Sequence, residues 1–337
     1  MLRAAVIGTG EPGLYHIEAY RRRPGVELRA IWSRTWERAR AMGEQFDATP
    51  TTELDAILND DQIDLVSLCV PNHLHAELAI QALRAGKHVF CEVPMISRIE
   101  DAAALVAAVE ESGRKFYVGQ LDRVEPAFRA IKSLVDAGDL GTPFLLESTF
   151  LGNGWTPNMP ANWWGRDARN PEIVLVSLGC FPISLMQWIA GPVVEAEAYG
   201  RKAGGESRRH HDTVIANLRF GSGALGRMVV TESARRPYSI DLSVYGDRGT
   251  AINNQIYLER LAGVTRNEFI DLPIPLISWQ SFPDETIQGL FLAEIDEFVA
   301  SIQEDTPPAV DIHQGVAISQ TLDAIARSLA SGQPENV

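Results

Sequence analysis

The residues of this chain whose spacing carries the most chemistry are three glycines. Val6-Ile7-Gly8-Thr9-Gly10-Glu11-Pro12-Gly13 follows an apolar run and opens a helical pattern. In that context Gly8 permits a tight turn, Gly10 lets the backbone approach a pyrophosphate, and Gly13 lets helix lie against strand. Thr9 and Pro12 complete the loop. The helix start offers free N–H groups and partial positive charge to phosphates. At the end of the second strand an acidic side chain would bind the ribose 2′-hydroxyl of NAD. Here the chain has Ser33-Arg34-Thr35 instead, with Arg38 one turn later. Hydroxyls and guanidinium groups suit a 2′-phosphate. The expected coenzyme is NADP(H), with NAD(H) as the alternative.

Further on, fewer residues could move protons. His211 beside Asp212 could form a shuttle, although adjacent strand residues point to opposite faces. Asp122 could supply a carboxylate just after the last strand of the first domain, with Gln120 and Arg123 flanking it as substrate-pocket residues. Trp155, Trp163 and Trp164 could wall a flat or apolar ligand, or pack at an oligomer face. Cys69, Cys91 and Cys180 are far apart and form no CxxC pair, so neither a disulfide framework nor a metal site is expected.

These side chains need elements to hold them. Up to about residue 120, strand and helix patterns alternate: Leu2–Gly8, Gly13–Arg23, Val26–Ser33, Trp36–Phe46, a short helix at Glu53–Asn59, Leu65–Val70, Leu74–Ala85, His88–Cys91, Ile99–Ser112 and Phe116–Gly119. That alternation predicts a doubly wound parallel sheet, a Rossmann domain over residues 1–120. Beyond it, after a helix at Glu125–Ala137, the strands lengthen. Phe144–Phe150, Val193–Gly200, Asp212–Phe220, Gly223–Ser233, Ser239–Tyr245 and Thr250–Leu258 read as strands, with hairpin turns at Phe220–Gly223 and Gly246–Gly249. Ile287–Ser301 and Val316–Ala330 read as helices. Residues 121–337 are expected to form a substrate and oligomerisation domain.

The bulk properties narrow the partners. The chain has 337 residues, 45% of them hydrophobic and 22% charged, as in ordinary globular proteins. A net charge of -14 argues against nucleic acid and anionic membrane. No basic segment followed by an apolar stretch opens the chain, no apolar window of about 18 residues stands out, and the cysteines fit a reducing compartment, so a cytoplasmic protein with no membrane span is expected.

Three more motifs complete the pattern: Val70-Pro71-Asn72-His73-Leu74-His75, Cys91-Glu92-Val93-Pro94 and Ser177-Leu178-Gly179-Cys180-Phe181-Pro182. With Gly8–His16 they resemble the glucose-fructose oxidoreductase/inositol dehydrogenase/MocA family, in a branch similar to dihydrodiol dehydrogenases. The resemblance implies a Rossmann domain joined to an α/β domain with a large, open, mostly antiparallel sheet that mediates dimers or tetramers. It implies NAD(P)-dependent chemistry on sugars, inositols and related small molecules. It also places Val70, Pro71, Asn72, His75 and Glu92 beside the coenzyme. The family's catalytic lysine is Val93 here, its aspartate is Ser177, its histidine or tyrosine is Phe181, and its glycine triplet is Pro171-Glu172-Ile173. Valine and phenylalanine transfer no proton, and serine needs a basic neighbour. The expected function is therefore hydride transfer to or from a small cyclic or sugar-like substrate, an imine, enone or ketone included, without the family's acid–base set. The alternatives are a catalytically inactive nucleotide-binding sensor or partner protein, and an enzyme using its coenzyme transiently for elimination or epimerisation.

Overall fold

The structure, a computed structural model, describes residues 1–152, 172–203, 210–259, 268–274 and 285–337. Contacts along the backbone divide the chain into two units. The first is Met1–Leu121 with Pro283–Val316, the second Asp122–Phe282 with Ala317–Val337. The segment Pro283–Val316 thus groups with the first unit, whereas the boundary drawn from the sequence put it in the second domain.

In the first unit the order is β1 (Leu2–Ile7), α1 (Glu11–Arg22), β2 (Val26–Trp32), α2 (Trp36–Phe46), β3 (Thr49–Thr51), α3 (Asp55–Leu58), β4 (Leu65–Leu68), α4 (His75–Arg84), β5 (His88–Cys91), α5 (Ala102–Ser112) and β6 (Phe116–Val118). The sheet runs β3-β2-β1-β4-β5-β6 and every pair is parallel. The chain reverses direction across the sheet between β1 and β4, and ligands of such sheets bind at that crevice. The apolar runs of β1 and β4 are buried on both faces, as a covered parallel sheet requires. One face packs Ala79, Leu83 and Leu105 of α4 and α5; the other packs Ile17 and Tyr20 of α1.

The second unit begins with α6 (Pro126–Asp136), β7 (Pro143–Leu151) and α7 (Ile173–Ala190). Then follow β8 (Val193–Arg201), β9 (Thr213–Phe220), β10 (Leu225–Thr231), β11 (Ser239–Gly246), β12 (Gly249–Ile252), β13 (Gln255–Leu258) and β14 (Ile270–Asp271). The chain closes with α8 (Glu285–Gln303), α9 (Ile312–Ser331) and β15 (Glu335–Asn336). The helix α8 lies in the first unit, where Phe291 stacks on Tyr15 at 4.6 Å and Phe298 meets Phe90 edge-on at 5.7 Å. The nine-stranded sheet runs β14-β13-β12-β11-β7-β10-β9-β8-β15, with β10 parallel to β7 and its other pairs antiparallel. Alternate residues of β9 are buried and exposed, so one face carries the core and the other faces outward.

Two expectations are corrected here. Thr250–Leu258 is a hairpin of two short strands, because Asn253 takes a left-handed backbone at φ 52 and turns the chain. The sequence reading also missed that Ile173–Ala190 is 18 residues long and apolar enough to cross a membrane. In the fold 67% of that stretch is buried, and α7 serves as the core helix laid on β7, β10 and β11.

Candidate functional site

The glycine loop of the first unit is built by exclusion. Gly8 has φ 122, and a Cβ there would stand 2.0 Å from the Cys69 carbonyl oxygen. A Cβ on Gly13 would stand 2.2 Å from the Gly8 carbonyl oxygen. Both positions reject any side chain, so β1 and α1 close tightly over the end of β4. Gly10 differs: it is exposed, and its Cβ would meet only the Pro12 ring at 3.9 Å. It caps α1 with no side-chain hydrogen bond to the first-turn amides. Space above Gly10 and uncapped N–H groups are what a pyrophosphate needs, so the residues present fit a dinucleotide coenzyme.

Around that loop the polar residues are tied to one another. The Thr9 and Ser33 hydroxyls share a hydrogen bond of 2.9 Å, which fixes the loop to the end of β2. Arg34, Thr35 and Arg38 are exposed, and among the described residues neither arginine is paired. Trp36, between them, is 51% exposed. His75 is fully buried, with Nδ1 2.8 Å from the Pro94 carbonyl and Nε2 2.8 Å from the Val70 carbonyl. It clamps the Val70–Pro71 loop to the Val93–Pro94 loop, and burial holds its pKa below the ordinary value. Asn72 is buried in the single turn that leads into α4, while Pro71 is exposed.

Sequence reasoning missed the network beneath Glu92. Its Oε1 accepts from His16 Nε2 at 2.9 Å, and its Oε2 accepts from the Val93 amide at 3.1 Å. His16 Nδ1 meets Ser67 Oγ at 3.0 Å, and Ser67 meets the Tyr20 hydroxyl at 2.7 Å. Burial pushes the Tyr20 pKa up. Tyr20, Ser67, His16 and Glu92 form one continuous chain of hydrogen bonds. Glu92 is thus held from below as well as by the neighbouring amide. Val93 packs its side chain on the first unit's core.

In the second unit Asp122 is fully buried, and among the described residues neither carboxyl oxygen has a hydrogen-bond partner of good geometry. Burial pushes its pKa up to about 8, against the weaker pull of the Arg123 charge. Arg123 itself is turned to α7: its Nε donates to Ser184 Oγ at 2.8 Å, and its guanidinium lies over Trp188 at 5.5 Å. Gln120, in the first unit, is also buried, with no hydrogen-bond partner for its Oε1 among the described residues. Ser177 and Phe181 share one face of α7, four residues apart. Phe181 packs on Phe150 at 5.5 Å, and Phe150 on Tyr238 at 5.9 Å, so an aromatic row stands where a polar group was sought.

His211 is not paired with Asp212. Asp212 is buried and accepts from the Ala203 amide at 2.8 Å and the Thr213 hydroxyl at 3.1 Å. The partner of His211 is Glu172, whose carboxylate meets Nδ1 at 3.1 and 3.2 Å and the His211 amide at 3.2 Å. The neighbouring His210 is buried beside Glu232, with Nε2 3.6 Å from Oε1. A hint of Glu172 stood in the sequence, as an acid where the resemblance has glycine. Trp155, Trp163, Trp164 and Pro171 lie outside the described residues.

Comparison with known proteins agrees with this architecture. Residues 2–120 match the model for an oxidoreductase family with an NAD-binding Rossmann fold, and residues 128–252 match the GFO/IDH/MocA C-terminal domain. A 4-carboxy-2-hydroxymuconate-6-semialdehyde dehydrogenase of Sphingobium is 28% identical over 91% of this chain and 92% of its own. A myo-inositol 2-dehydrogenase of Thermotoga maritima is 27% identical over 93% of this chain and 92% of its own. The crystal structure of an NAD binding oxidoreductase from Klebsiella pneumoniae superposes with a TM-score of 0.90 over 100% of this chain and 99% of that one; at 24% identity it speaks for the fold. The glycine loop at the β1–β4 crevice, the nine-stranded sheet and both matched halves place the chain in the GFO/IDH/MocA family of oxidoreductases, with its NAD-binding Rossmann fold.

Proposed function

We propose that the protein is an NADP(H)-dependent oxidoreductase of a small cyclic or sugar-like substrate. The observation that carries the reading is the contrast among the three glycines: two are closed by backbone contacts, and the exposed one is open. Gly8, Gly10 and Gly13 with Thr9 and Pro12 would hold the pyrophosphate, and Arg34 and Arg38 with Ser33 and Thr35 the 2′-phosphate. The nicotinamide, when bound, supplies hydride acceptor or donor chemistry. The names of the inositol and semialdehyde dehydrogenases support a hydroxylated or carbonyl substrate of that size. Asn72 and the Val70–Pro71 and Glu92–Pro94 segments, clamped by His75 and His16, would shape the wall beside the nicotinamide. Val93 and Phe181 place apolar side chains at two of the family's polar positions.

The same reading includes a location in the cytoplasm and assembly through the sheet. On its outward face Tyr199, Ile215 and Val229 align across β8, β9 and β10, and Leu225 is 52% exposed nearby. An apolar row of that kind fits a second copy of the chain.

Coenzyme choice is tested on Arg34. An Arg34→Ala, Arg38→Ala protein should lose NADPH affinity by about 10- to 100-fold, two lost charge-assisted contacts, with NADH affinity unchanged. Equal loss for both coenzymes, or a native preference for NADH, would refute the assignment.

A further inference from the structure

We infer that Trp36 is the platform on which the adenine ring of the coenzyme stacks. The inference rests on the coenzyme reading above and holds for NADP(H) and NAD(H) alike, because both carry adenine. Trp36, Ser33, Thr9 and the glycine loop all lie in the first unit.

That unit otherwise buries its aromatic side chains. Tyr15, Tyr20, Phe90 and Tyr117 are buried. Trp32, half-buried, donates its indole N–H to the Thr52 carbonyl at 2.9 Å. Among the described residues of the first unit, the exposed large apolar side chains are the terminal Met1 and Trp36, the latter 51% exposed. An indole left half in water contributes far less to folding than a buried one. Its large flat face is left available to a ligand.

The helix that carries Trp36 gives it a direction. The buried residues of α2 are Ala39, Gly43 and Phe46. They recur at helical spacing from Trp36, so Trp36 adjoins that inward stripe, away from the charged face of Glu37, Arg38 and Glu44. Trp36 is also the first residue of α2, and helical side chains lean toward the N-terminal end. It thus stands at the carboxyl edge of the parallel sheet, where ligands of such sheets bind. The backbone ties this point to the glycine loop. The Gly8 amide donates to the Trp32 carbonyl at 3.0 Å, and the Ser33 hydroxyl shares its 2.9 Å hydrogen bond with Thr9. Only Arg34 and Thr35 separate Ser33 from Trp36.

The chemistry of the coenzyme sets the neighbours of its base. Adenine is bonded to C1′ of the ribose whose C2′ oxygen is read at the end of β2. A residue that stacks the base is therefore a near neighbour of those that grip this oxygen. Between Ser33 and Arg38, Trp36 is the aromatic residue. Aromatic faces hold bases by stacking, whatever the hydrogen-bond pattern of the base. The competing flat group is the Arg34 guanidinium, whose charge suits phosphate better.

The test uses the full chain, NADPH or NADH (whichever the parent binds more tightly), and the matching adenosine half, 2′,5′-ADP or 5′-ADP. Trp36→Ala should weaken both ligands by the same factor, about 5- to 150-fold, and Trp36→Phe by less than about threefold. Both variants should melt with the parent, since the side chain is half exposed. Tryptophan emission gives a second readout: the adenosine half should quench the parent, and that quenching should vanish in Trp36→Phe. A Trp36→Ala protein within about twofold of the parent overturns the platform. So does an equal loss in Trp36→Phe, a loss confined to the whole coenzyme, or quenching that survives in Trp36→Phe. A Trp36→Ala protein that melts well below the parent marks the residue as structural and overturns the platform too. A parent that binds the coenzyme but not its adenosine half overturns the platform and leaves the glycine loop standing. A parent that binds neither coenzyme overturns the underlying reading instead.

Discussion

At the scale of single residues, Asp122 is a buried carboxyl with no hydrogen-bond partner of good geometry among the described residues, and burial raises its pKa. Its folded pKa, about 8, lies above the unfolded value, so the folded state holds an extra proton between roughly pH 4 and pH 8. Stability from this group is full below that window and is lost as pH rises through it, at up to about 1.4 kcal/mol per pH unit. Asp122→Asn should therefore melt higher than the parent at pH 8, with the gain shrinking toward pH 4. A pH-independent loss in thermal melts would mean that the carboxyl is accepting hydrogen bonds in the native state. The sequence pointed to Asp122 and His211 as candidate titratable residues. It could not show that Asp212 turns to Thr213 and that Glu172, 39 residues earlier, takes its place. Such pairings are made by tertiary folding and leave no spacing signal. The Glu92–His16–Ser67–Tyr20 chain is hidden for the same reason, since it links β4, the residue after β5 and the helix α1.

At the scale of elements, the glycine loop was fully legible because steric exclusion acts within a few residues. Strand, glycine turn and helix follow directly from the apolar run and the breakers. The division of labour among the glycines yields a sharp expectation. Gly8→Ala forces a Cβ against the Cys69 carbonyl at φ 122 and should destabilise the first unit by more than about 3 kcal/mol in urea melts. Gly10→Val should change stability by less than about 1 kcal/mol yet weaken NADPH binding more than tenfold, because its side chain would fill pyrophosphate space. The reverse pattern would remove the coenzyme from this loop. The helix α7 was less legible. Its two serines, Gly179 and Pro182 interrupt the helical period, and its all-round apolar surface follows from burial against β7, β10, β11 and α6. The hairpin at Asn253 escaped notice because two short strands of one apolar texture read as a single long one.

At the scale of the whole molecule, the alternation of strand and helix gave way to long strands near residue 120, and the two sheets follow that change. The passage of α8 back to the first unit was not legible, since an amphipathic helix carries no mark of the sheet it will cover. The outward face of the second sheet bears an apolar row, and Ile215→Arg placed in its centre should convert an oligomer to monomers in sedimentation velocity at micromolar concentration; a parent protein that is itself monomeric would refute assembly through this face. The proposed nicotinamide coenzyme with a 2′-phosphate over the open glycine is tested most directly by titrating the purified protein with NADPH and NADH and following the quenching of its intrinsic fluorescence. Saturable binding of NADPH, at least tenfold tighter than NADH and lost in Gly10→Val, is the predicted result; saturation by neither coenzyme would contradict it.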